Sequence, residues 1–232
     1  MKKFKFIKFL IFMMMLLCTI CSCNGKEGTS GSQSQGDKTV NSITEIRNEG
    51  DSNVEYYIKG VVVENNVLGY LIYDGTGFIN VYLNSPSPYS LGDYLSIKGY
   101  VTYYHYNPQF TSEAEVKVLN EKVPENINLE NEIIHTFNAN AIDGFVNYNY
   151  RNGGIYGYYE GTLIYLNNYY YNIVVDGTVF QLTMFQPNEE RLETLNQYLG
   201  KKVCGYAVMM FKQDTMYGTM VQISLLSIEG AK

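Results

Sequence analysis

The chain has 232 residues, with 17 basic and 23 acidic side chains, a formal charge of −6 at pH 7, four cysteines and no tryptophan. That balance excludes a protein that grips nucleic acid through a broad basic stripe. Three of the cysteines fall within the first 23 residues, leaving Cys204 alone in the body of the chain, which excludes an intramolecular disulfide framework and makes packed cores the source of stability.

In chain order, Lys2, Lys3, Lys5 and Lys8 precede an apolar run over residues 9–20, the layout of a secretory signal. The run is shorter than the roughly 20 apolar residues that span a bilayer. The sequence Ile20-Cys21-Ser22-Cys23 follows, and it resembles the bacterial lipobox, with an aliphatic residue at −3, a small residue at −1 and then the modified cysteine. The resemblance implies a lipoprotein: a signal peptide over 1–22, cleavage before Cys23, and diacylglycerol on Cys23 holding the chain to the extracytoplasmic face of a bacterial cell membrane. Loss of the leader leaves 13 basic against 23 acidic residues, a net charge of −10. Residues 23–39 are Gly, Ser, Gln, Lys and Asp with almost nothing apolar, so they read as a flexible tether with a reach of roughly 20–25 Å.

The first folded unit is expected over 40–120. Ser42 and Glu45 form a capping-box pattern that opens a short helix. Alternating apolar runs place strands at 56–63, 70–73, 78–83, 94–104 and 114–119. Asp74-Gly75 turns the second strand into the third, two prolines make 84–90 a loop, and Asn107-Pro108 reads as a turn. A linker rich in acids and asparagine covers 121–133. The second unit, 134–232, has strands at 158–166, 170–175, 179–185, 202–211 and 216–228. A helix is predicted over 187–199, with Leu192, Leu195 and Leu199 on one face and Gly200 as its stop. Four landmarks recur in order: Gly60 with Gly161, Asp74 with Asp176, Leu91-Gly92 with Leu199-Gly200, and Gly99-Tyr100 with Gly205-Tyr206. The chain therefore reads as two copies of one unit.

Five strands per copy, with a helix or loop before the fourth, suggest an all-β fold of two tandem five-stranded OB barrels. At the hairpin, Tyr70-Leu-Ile-Tyr-Asp-Gly-Thr-Gly-Phe-Ile-Asn-Val81 resembles the strand 2–3 signature of nucleic-acid-binding OB domains, including the anticodon-binding type of aminoacyl-tRNA synthetases. Leu91-Gly-Asp-Tyr-Leu-Ser-Ile-Lys-Gly99 resembles the lead-in to their fourth strand. Similar OB modules occur in secreted bacterial nucleases and surface lipoproteins. This chain departs from those relatives in having Tyr73 and Val175 where they often carry arginine.

Strand alternation points Ile58, Val62, Ile72, Ile79 and Val81 into the first barrel. Tyr57, Lys59, Tyr73, Phe78, Asn80 and Tyr82 then point outward as an aromatic platform with Lys59 as its cation, and the loop carrying Tyr104 and Tyr106 lies above it. The outward set of the second unit, Tyr158, Glu160, Val175, Gln181, Thr183 and Phe185, is less aromatic, so the first unit is the expected binder. The platform has a bland reading as well, in which tyrosine is simply favoured on strands and the face packs against the second unit or a partner protein. No nucleophile–base motif, phosphate-cradling glycine loop or histidine at metal-ligand spacing is present, so no enzyme activity, cofactor or metal is expected. Three binding classes stay open: single-stranded nucleic acid, which leads on the resemblance, oligosaccharide, and a protein partner in a surface assembly.

Overall fold

The computed structural model describes residues 39–149, 151–166, 170–184, 187–216 and 218–231. Cys23 and the tether to residue 38 lie outside them, as does Phe185. Helix α1 (Ile43–Glu49) opens the described chain with both halves of the capping box in place. Strands β1 (Glu55–Asn66), β2 (Gly69–Tyr73), β3 (Phe78–Tyr82), β4 (Tyr94–Tyr104), β5 (Asn107–Thr111) and β6 (Glu115–Val118) follow. Then come β7 (His135–Thr136), α2 (Ala139–Gly144), β8 (Ile155–Leu166), β9 (Tyr170–Val174), β10 (Gln181–Met184), α3 (Glu189–Tyr198), β11 (Lys202–Thr215), β12 (Gly218–Leu225) and β13 (Glu229–Gly230).

The first sheet runs β1-β2-β3-β5-β4 and closes through β1–β4; β3 pairs with β5 in parallel and the other barrel pairs are antiparallel. The second repeats this as β8-β9-β10-β12-β11 with closure through β11–β8 and a parallel β10–β12 pair. Each is a five-stranded Greek-key barrel of the OB type. The copies agree at atomic detail. A Cβ on Gly60 would meet Ile72 Cγ2 and the Tyr73 carbonyl at 2.5–2.7 Å, and one on Gly161 would meet Ile173 Cγ2 and the Val174 carbonyl at 2.5–2.6 Å. Bare glycine lets the first strand bend against the hairpin in both barrels.

Two expectations need correction. Gly60 pairs with Leu95 and Gly161 with Val203, so the counterpart of Gly99 is Ala207, and Gly205 stands where the first barrel has Ile97. The first barrel is closed by β5 at Asn107–Thr111, which was expected to be a turn, while β6 continues the pairing along the other half of β4. The turn is one step earlier. His105 and Tyr106 take φ of +47° and +67°, giving the two-residue connection that a tight hairpin requires without the usual glycine.

Each barrel has its own core. Ile58, Val62, Ile72, Ile79 and Val81 fill the first, and Ile43 and Ile46 of α1 close its end. Asp74 ties that helix to the hairpin. One carboxylate oxygen accepts from Thr76 N, Gly77 N and Thr76 Oγ1, and the other accepts from Ile43 N at 2.7 Å. In the second barrel Phe137, Ile142 and Phe145 take the place of α1, and Leu195 of α3 packs on the same core. Val175, expected on the outer face, also lies in this core.

The barrels belong to one unit, Lys38–Lys232, joined by a third core in which Leu71, Tyr73 and Phe78 of the first barrel meet Tyr156, Val208, Met210 and Phe211 of the second. Polar side chains are buried on the same outward rows, among them Glu64, which pairs in register with Leu71, and Thr183, Gln222 and Ser224. Burial pushes the Glu64 carboxyl up to about 7 from its ordinary 4.5, against the pull of Arg191 and a hydrogen bond from Asn66 Nδ2. A carboxyl raised in the folded state is neutral in both states at low pH. It then costs stability progressively from about pH 4.5 to about pH 7, where the unfolded chain has released the proton and the native one has not. Glu64→Gln is therefore expected to match the parent at pH 4 and to exceed it by on the order of 3 kcal/mol at pH 8 in urea melts; equal stability at both pH values would contradict this account.

Candidate functional site

The expected platform residues separate into three groups. Tyr73 and Phe78 pack in a tilted contact at 4.8 Å between ring centres, and Phe78 lies 5.9 Å from Tyr156 of the second barrel. Both are almost wholly buried, and Tyr73 Oη donates to Glu132 of the linker at 2.8 Å. Asn80 is buried on the same face. Alternation assigns these side chains correctly to the outside of the barrel, but the second barrel covers that outside, so they form a joint and not an open stacking platform. Tyr57 and Lys59 sit half-buried at the other edge of β1, where Lys59 Nζ is paired with Glu121 at 2.9 Å and is not available as the platform's cation. Tyr82 stays exposed and donates to Asn84 Oδ1 at 3.0 Å. Tyr104 and Tyr106 are exposed too, and they stand at a different site.

That site is a cleft of about 570 Å³ where the barrels meet at the β4–β5 turn. The end of α1 supplies Arg47 and Asn48, the turn supplies Tyr103, His105 and Tyr106, and the segment leading into β8 supplies Arg151 and Asn152. A recess of about 210 Å³ shares both arginines and reaches Thr44, Thr76 and Gly154. Arg47 donates from Nη1 to the Phe78 carbonyl at 2.9 Å and from Nη2 to Asn107 Oδ1 at 2.5 Å. Both acceptors are neutral, and among the described residues no carboxylate is ion-paired with Arg47. Desolvation pulls its pKa down to about 10. The second barrel presses on this guanidinium with bare backbone: a Cβ on Gly154, whose φ is +83°, would stand 2.9 Å from Arg47 Nε.

The aromatic wall is set by strain and stacking together. Left-handed backbone at a bulky residue such as Tyr106 is uncommon and costs free energy, so the surroundings must hold it. His105 stacks on Phe211 of the second barrel at 5.1 Å and 11°, with Tyr104 edge-on to Phe211 at 5.2 Å. The Arg151 guanidinium lies 4.7 Å from the centre of the Tyr106 ring. The cleft thus presents two guanidinium groups and three aromatic faces, an arrangement suited to an anion joined to a flat ring.

Of the residues named from sequence, the cleft collects Tyr106, with Tyr104 at its rim. Strand alternation does not single out Arg47 or Arg151, and Tyr103 and His105 enter from the sequence as members of the loop over 103–110. Composition held a usable signal, because Arg47, Arg151 and Arg191 are the only arginines in the chain. Two of them line this cleft, and Arg191 lines a separate groove of about 500 Å³ between Asn65 and Tyr89 of the first barrel and Asn188 and Thr194 of the second. Among the described residues, no group of three or more His, Cys, Asp or Glu side chains is placed to hold a metal ion.

No protein-family model and no curated protein matches this sequence. Solved structures similar to it include a murine DNA-binding protein bound to double-stranded DNA, at 9% identity and a TM-score of 0.36 over 76% of this chain and 96% of that one. The HINa domain of Ifi202 in complex with a 20-base-pair double-stranded DNA is similar at 11% identity and a TM-score of 0.38, again over 76% and 96%. The OB assignment stands on the strand order and closure of the barrels themselves.

The joint and the open surface make opposite demands on Phe78. Truncation of a buried aromatic costs about 3–5 kcal/mol, whereas an exposed platform residue costs within about 0.5 kcal/mol. Phe78→Ala is expected to show the larger loss by chemical denaturation, and a near-neutral result would mean that the barrels do not dock through this face.

Proposed function

We propose that the chain is a non-catalytic, lipid-anchored protein of the extracytoplasmic membrane face that binds single-stranded nucleic acid in the cleft between its barrels. The observation that carries this reading is Arg47, a desolvated guanidinium that among the described residues is bonded to neutral acceptors alone and that lines the cleft. A charge taken from water is costly unless a counter-charge meets it, and here a phosphate would provide one. Arg151, Tyr106 and His105 beside it favour a phosphate attached to a base, since aromatic rings and guanidinium planes are the usual partners of unstacked bases.

The single strand is preferred to a duplex on charge and shape. A mature charge of −10 and two cleft arginines cannot follow the phosphate ladder of a double helix, while one unstacked nucleotide fits a cleft of about 570 Å³. The lipobox at Cys23 and the tether to residue 39 support an anchor with enough reach to hold the barrels clear of the headgroups.

Anisotropy titration of a fluorescent oligothymidylate against the soluble chain tests the reading. Binding is expected to weaken with salt, with a slope of about −0.7 per phosphate contact on a log–log plot. Arg151→Ala should cost roughly tenfold in affinity and flatten the slope by about 0.7. An absence of binding at low salt would remove the proposal.

A further inference from the structure

Docking of the barrels covers the outward side chains Leu71, Tyr73 and Phe78 of β2 and β3, yet from Tyr82 the outer face continues around the first barrel onto β5 and β4, and there it is open. Along β4, Val101 points into the core while Tyr100, Thr102 and Tyr104 point out and are exposed. The register joins them to β3. Tyr82 pairs with Thr111 of β5, and Thr111 lies one step beyond the Val101–Phe110 pair, beside Tyr100. Asn80 and Thr102 both pair with Gln109 in the next row. Tyr82 and Tyr100 are thus two interstrand spacings apart, roughly 10 Å, and Tyr104 lies four residues further along β4, roughly 13 Å. Tyr104 also touches His105 at 4.4 Å and Phe211 at 5.2 Å, which makes this face continuous with the arginine cleft.

The chemistry of the face differs from that of the cleft. Thr102, Gln109 and Thr111 between the tyrosines are neutral donors and acceptors. Of the flanking charges, Glu55 and Lys98 are paired with each other at 3.1 Å, and Glu113 stands two residues beyond Thr111, whose Oγ1 accepts from the Glu113 backbone N–H at 3.4 Å. Such a surface offers ring faces and hydroxyl or amide groups to a flat polar ligand, with no cation committed to a phosphate.

We infer that a bound single strand leaves the arginine cleft across β4, β5 and β3, laying bases in turn on Tyr104, Tyr100 and Tyr82, with intervening nucleotides spanning the gaps, while its anchoring phosphate stays at Arg47 and Arg151. This rests on the nucleic-acid reading above and adds the path of the strand, whose length falls within the roughly 4–16 nucleotides that one OB barrel holds. It also divides the binding free energy by type. Length beyond the cleft adds stacking, which is nearly independent of salt, while the salt slope belongs to the two arginines.

The test compares a thymidine trinucleotide with a thymidine octanucleotide, on the parent chain and on a Tyr82→Ala/Tyr100→Ala variant. The octanucleotide is expected to bind the parent roughly 10- to 100-fold more tightly than the trinucleotide, with the same salt slope. The variant should lose that advantage yet keep its trinucleotide affinity and its melting temperature, because both side chains are exposed, at 38% and 56%. Equal affinities for the two lengths, or an unchanged octanucleotide affinity in the variant, would overturn the path and leave the cleft reading standing. Failure of both oligonucleotides to bind at low salt would remove the cleft reading and the path with it. A maltohexaose arm covers the other chemistry: sugar binding that the variant loses, with thymidine binding untouched, would assign the face to neutral oligosaccharide instead.

Discussion

The contact on which the rest of this molecule depends is the apolar joint between the barrels, where Leu71, Tyr73 and Phe78 pack against Tyr156, Val208, Met210 and Phe211. It does two things at once. It consumes the strand surface through which an OB barrel commonly meets its ligand, and it brings α1 and the β4–β5 turn of one barrel against the segment entering the other. The candidate site is a product of that docking and belongs to neither barrel alone: Arg47 and the aromatic turn come from the first, Arg151 to Gly154 from the second. Bare backbone at Gly154 is what allows the second barrel to come so close to a guanidinium.

The joint is not uniformly apolar. Glu64, Thr183, Gln222 and Ser224 are buried beside it, and a buried carboxyl held near neutrality works against the hydrophobic contacts next to it. Among the described residues Thr183 Oγ1 and Ser224 Oγ have no hydrogen-bond partner, so specific pairing gives a use to Glu64 alone of these: a polar residue in an interface penalises every docking geometry that strands it. Glu64 faces Asn66 and the field of Arg191, so the two barrels have a reason to meet in one register rather than slide along the greasy rows.

Much of the fold was legible because it is written in local patterns. The Asp74-Gly75 turn, the alternating runs and the capping box at Ser42 each report a neighbour only a few residues away, and each stands where expected, as do Leu192 and Leu195 of the α3 stripe, whereas Leu199 falls past the helix end and is exposed. The repeat was legible for a related reason, since Gly60 and Gly161 answer the same clash with the same hairpin position. The closing strand β5 was misread because Asn107-Pro108 has the composition of a turn, and nothing local announces that His105 and Tyr106 will take left-handed backbone. The burial of part of the platform was hidden for a different cause. Alternation distinguishes the inside of a barrel from its outside, but it is silent on what covers the outside. Tyr73 and Tyr82 look equivalent in sequence, and only the docked second barrel separates a buried joint residue from an exposed one.

The β4–β5 turn carries a tension of its own. A two-residue hairpin left to its own preferences would carry Asn-Gly, which accepts positive φ with little penalty. This chain instead carries an imidazole and a phenol there, at φ of +47° and +67°, and uses the neighbouring barrel to hold them. Evolution toward a sturdier hairpin and evolution toward a better aromatic wall therefore pull the same two positions in opposite directions. A lineage under no pressure to keep the wall would be free to relax the turn. The persistence or loss of bulky residues at 105 and 106 among descendants is thus a record of whether the aromatic wall itself is under selection.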